Sequence, residues 1–428
     1  MTIFDLDRRH LWHPFTQALT APPPIVAVSG QGARIIAADG RDYLDMVSSW
    51  WVTLHGHGHP EIAEAIALQA RRLEQVIFAD FTHAPAAELA AKLCGLLPGD
   101  LDRVFYSDNG STAVEVALKM ALQFWRNVDQ GHKQRFIGFD GGYHGDTVGA
   151  MSAGVGSGYF RAFTSMLFPV DVAPFPHTWD GDAEVEAKEA DSLRVVARSL
   201  ASGEVAAVII EPLIQGAGGM RLCRPQFLQA LAAMVRDAGA LLVFDEVMTG
   251  FGRTGELFAC LGASVTPDLI CLSKGLTGGF LPMAMTVVRE EIYQGFLGEG
   301  LDKAFLHGHS YTANPLGCAA GLASLELLLQ PACTDRRATI NAVHRDELAR
   351  LATTAPITHG RVLGTIAAFD VVVDDPGYGA AIGRHIKRAC LDQGVLMRPL
   401  GNVVYLLPPY CTTEEELRRA WSVIGRVL

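Results

Sequence analysis

The side chains best suited to chemistry follow directly after apolar runs of the sequence. Asp245 ends the run LLVF, Lys274 ends the run LICLS, and segment 108–112 (DNGST) follows RVFYS. If these runs are strands of an open α/β sheet, all three lie at its carboxyl edge, where ligands bind. A lysine there is expected to be partly buried, which lowers its pKa and leaves a neutral amine for Schiff-base formation. Taken alone, an exposed lysine at a strand end explains the sequence equally well.

Asp245 makes the cofactor interpretation of Lys274 the stronger one. Enzymes that use pyridoxal 5'-phosphate (PLP) place a carboxylate against the pyridine nitrogen, which keeps the ring protonated as an electron sink. Segment 108–112 adds an anion-site pattern, because Gly110 allows close backbone approach and a helix beginning there offers free N–H groups. Ser111 would add a hydroxyl donor. Considered alone, this segment is better explained as ordinary helix capping.

Other polar residues have competing interpretations. Tyr143, in the turn GGYHGD, either stacks on a cofactor ring or is a structural turn residue. Arg398 is either a bidentate clamp for a carboxylate or one half of a surface ion pair. The run LLVFDE would also suit a magnesium–nucleotide site, yet the sequence has no GxxxxGK[ST] loop. A histidine cluster in a loop usually serves hydrogen bonding, so we expect no metal at the three histidines of HGHGHP: His55, His57 and His59.

A sheet must bring these residues together, and the sequence predicts one. From about residue 100, apolar runs rich in Val, Ile, Leu and Phe alternate with helical stretches. This alternation indicates a mainly parallel α/β sheet with helices on both faces. The predicted strands are 103–108, 135–140, 206–212, 240–247 and 268–274, and the predicted helices include 111–125 and 225–237.

The same pattern suggests three segments of the chain. Residues 1–49 would form an N-terminal arm and part of a small domain, 50–320 the large domain, and 321–428 a C-terminal small α/β domain. The elements predicted toward the C-terminus are a helix over 316–329, a strand over 362–373, a helix near 378–392 and a strand over 403–409.

Composition limits the function classes. The formal net charge is −11 without a compensating basic block, which argues against a nucleic-acid partner. The eight cysteines occur singly, as in the reduced core of a cytosolic protein. The N-terminus carries acidic residues and no apolar run, so we expect no secretory signal. The stretch 305–325, which has no Lys, Arg, Asp or Glu, is too polar to span a bilayer, and a cytoplasmic location is predicted.

Longer motifs resemble a known family. FYSDNGSTAVEVALKMA (105–121), GGYHGDT (141–147), FDEVMTGFGRTG (244–255) and LSKGLTGG (272–279) are similar to class III (omega) aminotransferases of PLP fold type I. The resemblance covers nearly the whole chain, and the combination of DEV, GFGRTG and SKG is specific to the class. Three further segments resemble the members that aminate 8-amino-7-oxononanoate in biotin synthesis: HLWHPFTQ (10–17), SSWW (48–51) and RPLGNVVYLLPPY (398–410).

The resemblance implies a PLP-dependent aminotransferase and a role for each cofactor contact. Lys274 would carry the cofactor and move the proton as general acid and base, and Asp245 would pair with the pyridinium nitrogen. Family members are homodimers with shared active sites, so a homodimer is expected. Tyr143 and Val247 would contact the cofactor ring. Gly110 and Ser111 would bind its phosphate, with one further phosphate contact from Ser310 of the partner subunit.

The resemblance also implies the substrates. In a ping-pong reaction, S-adenosylmethionine would give up its amino group and 8-amino-7-oxononanoate would receive it, forming 7,8-diaminononanoate. Arg398 would bind the carboxylate of the acceptor. Four aromatic side chains would also contact the substrate: Phe15, Trp50, Trp51 and Tyr405. Arg253 and Gly308 would lie near the substrate as well.

Two features bear on the amino donor. Many members that use S-adenosylmethionine have tyrosine in the arm where Phe15 lies, and some members with this chain's pattern use lysine instead. The paired tryptophans Trp50 and Trp51, together with His13, match the users of S-adenosylmethionine, which we therefore expect as donor.

Other functions are compatible with the same cofactor residues. An aminotransferase for ornithine, 4-aminobutyrate or another terminal amine is one alternative, although Ala217 stands where those enzymes often have an acidic residue. A racemase or mutase of the same class is another. A non-catalytic protein of this fold is a third, against which Lys274 and Asp245 argue.

Overall fold

The computed structural model describes residues 2–154 and 159–428. Its α-helices are α1 Ile3–His10, α2 Ser48–Trp51, α3 Pro60–Ala70, α4 Ala84–Cys94, α5 Gly110–Asn127, α6 Val148–Ala153, α7 Val185–Leu200, α8 Pro225–Asp237, α9 Ala259–Ala263, α10 Glu290–Gln294, α11 Pro315–Leu328, α12 Pro331–Leu351, α13 Ala381–Asp392 and α14 Glu414–Val427. Its strands are β1 Ala27–Gln31, β2 Arg34–Ala37, β3 Asp42–Asp45, β4 Leu101–Ser107, β5 Arg135–Phe139, β6 Asp171–Ala173, β7 Val205–Ile210, β8 Ile214–Gln215, β9 Arg221–Leu222, β10 Leu241–Asp245, β11 Leu269–Leu272, β12 Ala284–Arg289, β13 Ile357–Leu363, β14 Ile366–Val371, β15 Val395–Leu396 and β16 Val403–Leu406.

The largest sheet has seven strands in the order β4-β12-β11-β10-β7-β5-β6. β10 is parallel to β7 and β11, and β5 is parallel to β6 and β7. β12 is antiparallel to both of its neighbours. Every residue of β7, β10 and β11 is buried, which explains why these runs lack polar alternation. The predicted mainly parallel α/β fold is confirmed, and β12 is a strand that the sequence analysis did not include.

Helices pack on both faces of this sheet. Val208 of β7 belongs to one buried cluster with Phe227 and Leu231 of α8. Its neighbour Ile209 belongs to a second buried cluster with Val114 of α5. Because successive strand residues point to opposite faces, the two clusters lie on opposite sides of the sheet.

Two smaller sheets join distant parts of the chain. β1, β2, β3 and β15 form one sheet, in which β15 is parallel to β3. β13, β14 and β16 form an antiparallel sheet, and β8 pairs with β9 as a short hairpin. The N-terminal strands therefore associate with the C-terminal part of the chain. The predicted domain boundaries at residues 49 and 320 stay a prediction.

The single strand predicted over 362–373 is wrong. β13 ends at Leu363 and β14 begins at Ile366, so the segment contains a hairpin turn. Gly364 in this turn has φ +56°, and a Cβ atom there would overlap the backbone of segment 253–255. A close backbone approach of this kind requires glycine and breaks the strand.

No single helix among the described residues is long and apolar enough to cross a membrane. α11 and α12 meet at a bend of 70° and pass that test only together, by length and composition.

Candidate active site

A cavity of about 770 Å³ lies at the carboxyl ends of the parallel strands. The segments that follow β4, β5, β7, β10 and β11 all contribute to its wall, as expected for an open α/β sheet. Eleven residues singled out from the sequence line it together: Phe15, Trp50, Trp51, Gly110, Ser111, Tyr143, Asp245, Val247, Lys274, Arg398 and Tyr405.

Lys274 lies two residues after β11, at the start of a short 3₁₀ turn. Its φ is +24°, in a region that residues with a side chain rarely adopt, so the local backbone is strained. Its Nζ atom lies 5.0 Å from the ring centroid of Trp51. Burial lowers the pKa of Lys274, although the charges of Asp245 and Glu211 oppose that effect. The result is a cavity-facing amine with an increased neutral fraction.

Asp245 ends β10 and is almost fully buried. One carboxylate oxygen, Oδ1, accepts a hydrogen bond from the backbone N–H of Val247 at 3.0 Å. The other, Oδ2, lies 2.7 Å from Nδ1 of His144, which is itself buried. Burial opposes protonation of His144, but the hydrogen bond and charge of Asp245 outweigh it and raise the pKa of the imidazole. The pair therefore places the carboxyl group of Asp245 against an imidazole at the bottom of the cavity.

Glu211 is a second buried carboxyl group of the site, and it was not among the residues predicted from the sequence. It follows β7 and accepts backbone hydrogen bonds from Tyr143 at 3.1 Å and Gly216 at 3.0 Å. Burial raises the pKa of Glu211 to about 7, against the opposing charge of His144. Glu211 ends the run AAVII just as Asp245 ends LLVF, so the same strand-end pattern could have identified it.

An anion site is formed where α5 begins. Asn109 caps this 18-residue helix in a capping box with Thr112, so the following N–H groups of Gly110 and Ser111 face the cavity end. The Ser111 hydroxyl also contacts the Thr147 hydroxyl at 2.7 Å. A helix N-terminus with adjacent hydroxyls suits a phosphate group.

The space beside this helix start is narrow. A Cβ atom on Gly110 would lie 2.5 Å from Cγ1 of Val247, so only glycine fits there without displacement. Tyr143 faces the same cavity, and its ring stacks on Phe160 with centroids 6.0 Å apart and an interplanar angle of 23°. Val247 and Tyr143 thus supply the flat apolar surfaces that a ring system would contact.

The substrate side of the cavity has an arginine among aromatic rings. The guanidinium of Arg398 lies 4.2 Å from the ring centroid of Trp50 and 5.9 Å from that of Phe15. Phe15 and Trp50 pack edge to face at 5.4 Å. Stacking holds the guanidinium plane and leaves its N–H groups available for a carboxylate.

Trp51 and Tyr405 form a second wall. The indole N–H of Trp51 donates to the hydroxyl of Tyr405 at 2.9 Å, and both side chains are buried. Arg253 lies behind this wall and donates to the carbonyl oxygens of Trp51, Thr53 and Pro408. Arg253 is buried and does not line the cavity, so it supports the backbone of Trp51, while its predicted contact with substrate stays a prediction.

Two further predicted residues lie apart from the cavity of this single chain. Gly308 and Ser310 are exposed in the segment before α11, and the Ser310 carbonyl accepts a hydrogen bond from Gln75 at 2.7 Å. The predicted role of Ser310 belongs to a partner subunit, so its position here neither supports nor opposes that role.

Of the three histidines of HGHGHP, His55 and His59 pack edge to face with ring centroids 6.1 Å apart, while His57 has a different partner. His57 pairs with Asp45 at 2.9 Å, and His55 lies 3.2 Å from the hydroxyl of Ser324. Within the described ranges, no group of three or more His, Cys, Asp or Glu side chains is arranged to hold a metal ion.

The residues present fit PLP. The cavity has phosphate donors at the start of α5, a glycine where a Cβ would collide with the Val247 side chain, and a half-buried amine at Lys274. It also has a carboxyl group at Asp245, 2.7 Å from Nδ1 of His144. These groups match the phosphate, aldehyde and pyridine nitrogen of the cofactor in chemical type.

Comparison with known proteins gives a family and close relatives. The family model described as aminotransferase class III matches residues 16–428. An adenosylmethionine-8-amino-7-oxononanoate aminotransferase from Synechococcus elongatus is 58% identical over 422 residues, covering 98% of each chain. A relative of the same name from Geobacter sulfurreducens is 41% identical over 429 residues, covering 97% of this chain and 95% of the relative.

Solved structures share the fold. An adenosylmethionine-8-amino-7-oxononanoate aminotransferase from Methanocaldococcus jannaschii aligns with a TM-score of 0.91 and 34% identity, covering 99% of this chain and 97% of that one. A PLP-bound amine transaminase from an uncultivated Pseudomonas species aligns with a TM-score of 0.90 and 30% identity over 98% of each chain.

Proposed function

The chain belongs to the class III aminotransferase family, and we propose that it uses PLP to convert 8-amino-7-oxononanoate to 7,8-diaminononanoate in biotin synthesis. S-adenosylmethionine is the proposed amino donor. The observation that carries the proposal is a single cavity that holds Lys274, Asp245 and Arg398 together. The names of relatives at 58%, 41% and 34% identity support the choice of substrates.

When bound, PLP supplies the electron sink through which an amino group passes between substrates. Lys274 would hold the cofactor and, when its amine is free, move the proton at the reacting carbon, because its lowered pKa leaves more of it neutral. Asp245 would pair with the ring nitrogen, and the hydrogen bond with His144 holds that carboxyl group in place. Gly110 and Ser111 would bind the phosphate through their N–H groups.

The substrate side of the cavity positions a carboxylate. Arg398 would bind it in bidentate fashion, since the Trp50 ring fixes the guanidinium plane. The wall of Trp51 and Tyr405 would contact the aliphatic chain of the acceptor and exclude water from it. Donor and acceptor would occupy this space in turn.

A homodimer in the cytoplasm is part of the proposal. Gly308 and Ser310 lie on a segment with exposed apolar side chains, among them Leu301, Leu306 and Tyr311 at 66–73% exposure. Exposed apolar groups on one segment are typical of a subunit interface. All eight cysteines are free thiols, which suits a reducing compartment. Sedimentation of the purified protein should give twice the mass of 46.0 kDa.

A half-reaction tests the proposed activity. PLP-loaded protein is mixed separately with S-adenosylmethionine, lysine, ornithine and 4-aminobutyrate, without an acceptor. We expect S-adenosylmethionine to remove the absorbance band of lysine-bound cofactor, and 8-amino-7-oxononanoate to restore it. Loss of the band only with ornithine or 4-aminobutyrate would contradict the substrate assignment and leave the cofactor chemistry intact.

Lysine is the second candidate donor, because Phe15 lacks a hydroxyl group beside Arg398. Beside the Arg398 guanidinium, the rings of Phe15 and Trp50 offer aromatic faces and no hydroxyl group. If lysine removes the band and S-adenosylmethionine does not, the acceptor assignment stands and the donor assignment is wrong.

A further inference from the structure

A second aromatic pair lies at the rim of the cavity, apart from the residues given a role above. Tyr159 and Tyr378 both line the cavity, and their rings meet edge to face with centroids 4.9 Å apart. Tyr159 donates its hydroxyl hydrogen to the carbonyl oxygen of Ala217 at 3.1 Å. Tyr378 is 54% exposed, so a large part of its ring is open to a ligand or to solvent.

The backbone next to Tyr378 is fixed to the turn that follows Arg398. The N–H of Gly377 donates to the side-chain oxygen of Asn402 at 2.9 Å. A Cβ atom on Gly401 would overlap the carbonyl of Gly377, so the two segments are in direct backbone contact. Tyr378 and Arg398 are therefore carried on segments held together at their backbones.

Asn402 ties this arrangement to the adjacent sheet. Its side-chain N–H donates to the carbonyl of Val371, the last residue of β14, at 3.2 Å. The N–H of Val371 in turn donates to the carbonyl of Asn402 at 2.9 Å. A tyrosine whose preceding residue is anchored in this way can present its ring to a ligand with little ordering cost.

We infer that the Tyr378 ring, with Tyr159 against it, is a subsite for the planar purine base of the amino donor. The inference rests on S-adenosylmethionine as the proposed donor. The acceptor 8-amino-7-oxononanoate has a carboxylate and an aliphatic chain but no ring, so a stacking surface serves the donor alone. Stacking on an aromatic side chain is the usual way a protein binds a base without reading its edges.

The amino group and the base of the donor would occupy opposite ends of the cavity. Its amino group must reach Lys274, which lies at the carboxyl end of β11 in the sheet. The base is at the other end of the donor and extends away from the reacting amine, toward the exposed rim where Tyr378 lies. A cavity of about 770 Å³ is within the range that encloses a ligand of this size.

The test compares donor and acceptor kinetics in the PLP-loaded enzyme. In Tyr378→Ala we expect the KM for S-adenosylmethionine to rise about tenfold, from the loss of one stacking contact at an exposed position. The KM for 8-amino-7-oxononanoate should stay within about twofold of the wild-type value. Tyr378→Phe keeps the ring and should restore the donor KM. Tyr293→Ala, at a tyrosine 38% exposed outside the cavity lining, is the matched control and should change neither value.

A binding measurement separates this inference from the donor assignment. Calorimetry with 5'-methylthioadenosine, which has the base but lacks the reacting α-amino group, reports on the subsite even if S-adenosylmethionine does not react. We expect wild-type protein to bind this probe and Tyr378→Ala to bind it about tenfold more weakly. Equal binding by both proteins, no binding by the wild type, or a rise in both KM values in Tyr378→Ala would overturn the inference.

Discussion

Replacing Arg361 by methionine tests how the C-terminal strands hold the substrate side of the cavity. Arg361 lies on β13 and is only 6% exposed. Its Nε donates to the carbonyl of Met220 and its Nη2 to that of Gly219, both at 2.6 Å, while Nη1 contacts Asp370 at 2.9 Å. These carbonyls lie two and three residues beyond Ala217, which lines the cavity. Arg361 therefore links β13 to the loop that borders the substrate.

The structure sets the size of the effect. Methionine keeps much of the side-chain length and removes these three contacts, together with the hydrogen bond from Nη1 to the carbonyl of His359. Removing one partner of a buried ion pair costs about 3–5 kcal/mol, and each hydrogen bond from a charged donor contributes about 1.5–3 kcal/mol. Because the Asp370 side chain is 23% exposed, we expect the lower end, about 3 kcal/mol. At about 2.1 cal/mol/K per residue, 428 residues have an unfolding entropy of about 0.9 kcal/mol/K, so Tm falls by about 3 °C.

Calorimetry of the Arg361→Met protein measures the fall in Tm. Steady-state kinetics measure whether the loop that borders the substrate still supports substrate binding. We expect the KM of the acceptor to rise several-fold while the absorbance of lysine-bound cofactor is unchanged. Arg388→Met is the matched control, because Arg388 is exposed and forms an ion pair with Asp392 four residues along α13. Such a pair contributes about 0.3–0.5 kcal/mol, and Tm should move by less than about 1 °C. If Arg361→Met behaves like the control in both assays, the role given to Arg361 is wrong.

Two further changes test the cofactor end of the cavity. Gly110→Ala should weaken PLP binding about tenfold in an absorbance titration, because its Cβ would lie 2.5 Å from Val247, whereas Gly131→Ala, with its nearest atom at 3.8 Å, should bind normally. In His144→Gln the stability loss should depend on pH. Since the hydrogen bond to Asp245 raises the pKa of His144 above its ordinary value of about 6.5, its contribution is complete below that pH and is lost as pH rises through the folded pKa. The Tm difference from wild type should therefore be larger at pH 6 than at pH 9, and a constant difference would contradict the assignment.

Local chemistry and periodicity were enough to predict much of the fold. The helix predicted over 225–237 is α8, with Pro225 at its first position, where its missing N–H costs nothing. Fully buried strands such as β10 have an uninterrupted apolar sequence, and polar residues at their carboxyl ends follow from the topology. The same rule applies to AAVIIE, where Glu211 follows the apolar run, so the sequence contains enough information to predict Glu211 as well.

Other parts of the site depend on contacts between distant residues. Trp51 and Tyr405 bond to each other across 354 residues, and no local pattern predicts such a pair. His144 became a partner of Asp245 only because β5 and β10 end at the same edge of one sheet. The turn at Gly364 could not be predicted from local sequence either. Its glycine is required by the close approach of the backbone of segment 253–255, more than a hundred residues earlier.

The central claim, that Lys274 carries the cofactor, can be tested by one measurement. The PLP-loaded protein is treated with borohydride, which makes a reversible link between an amine and an aldehyde permanent, and its peptides are then analysed by mass spectrometry. We expect the added mass on the peptide containing Lys274 and on no other. Attachment at a different lysine, such as Lys133 or Lys387, whose pKa is also lowered by burial, would contradict the account, and so would the absence of any attached cofactor.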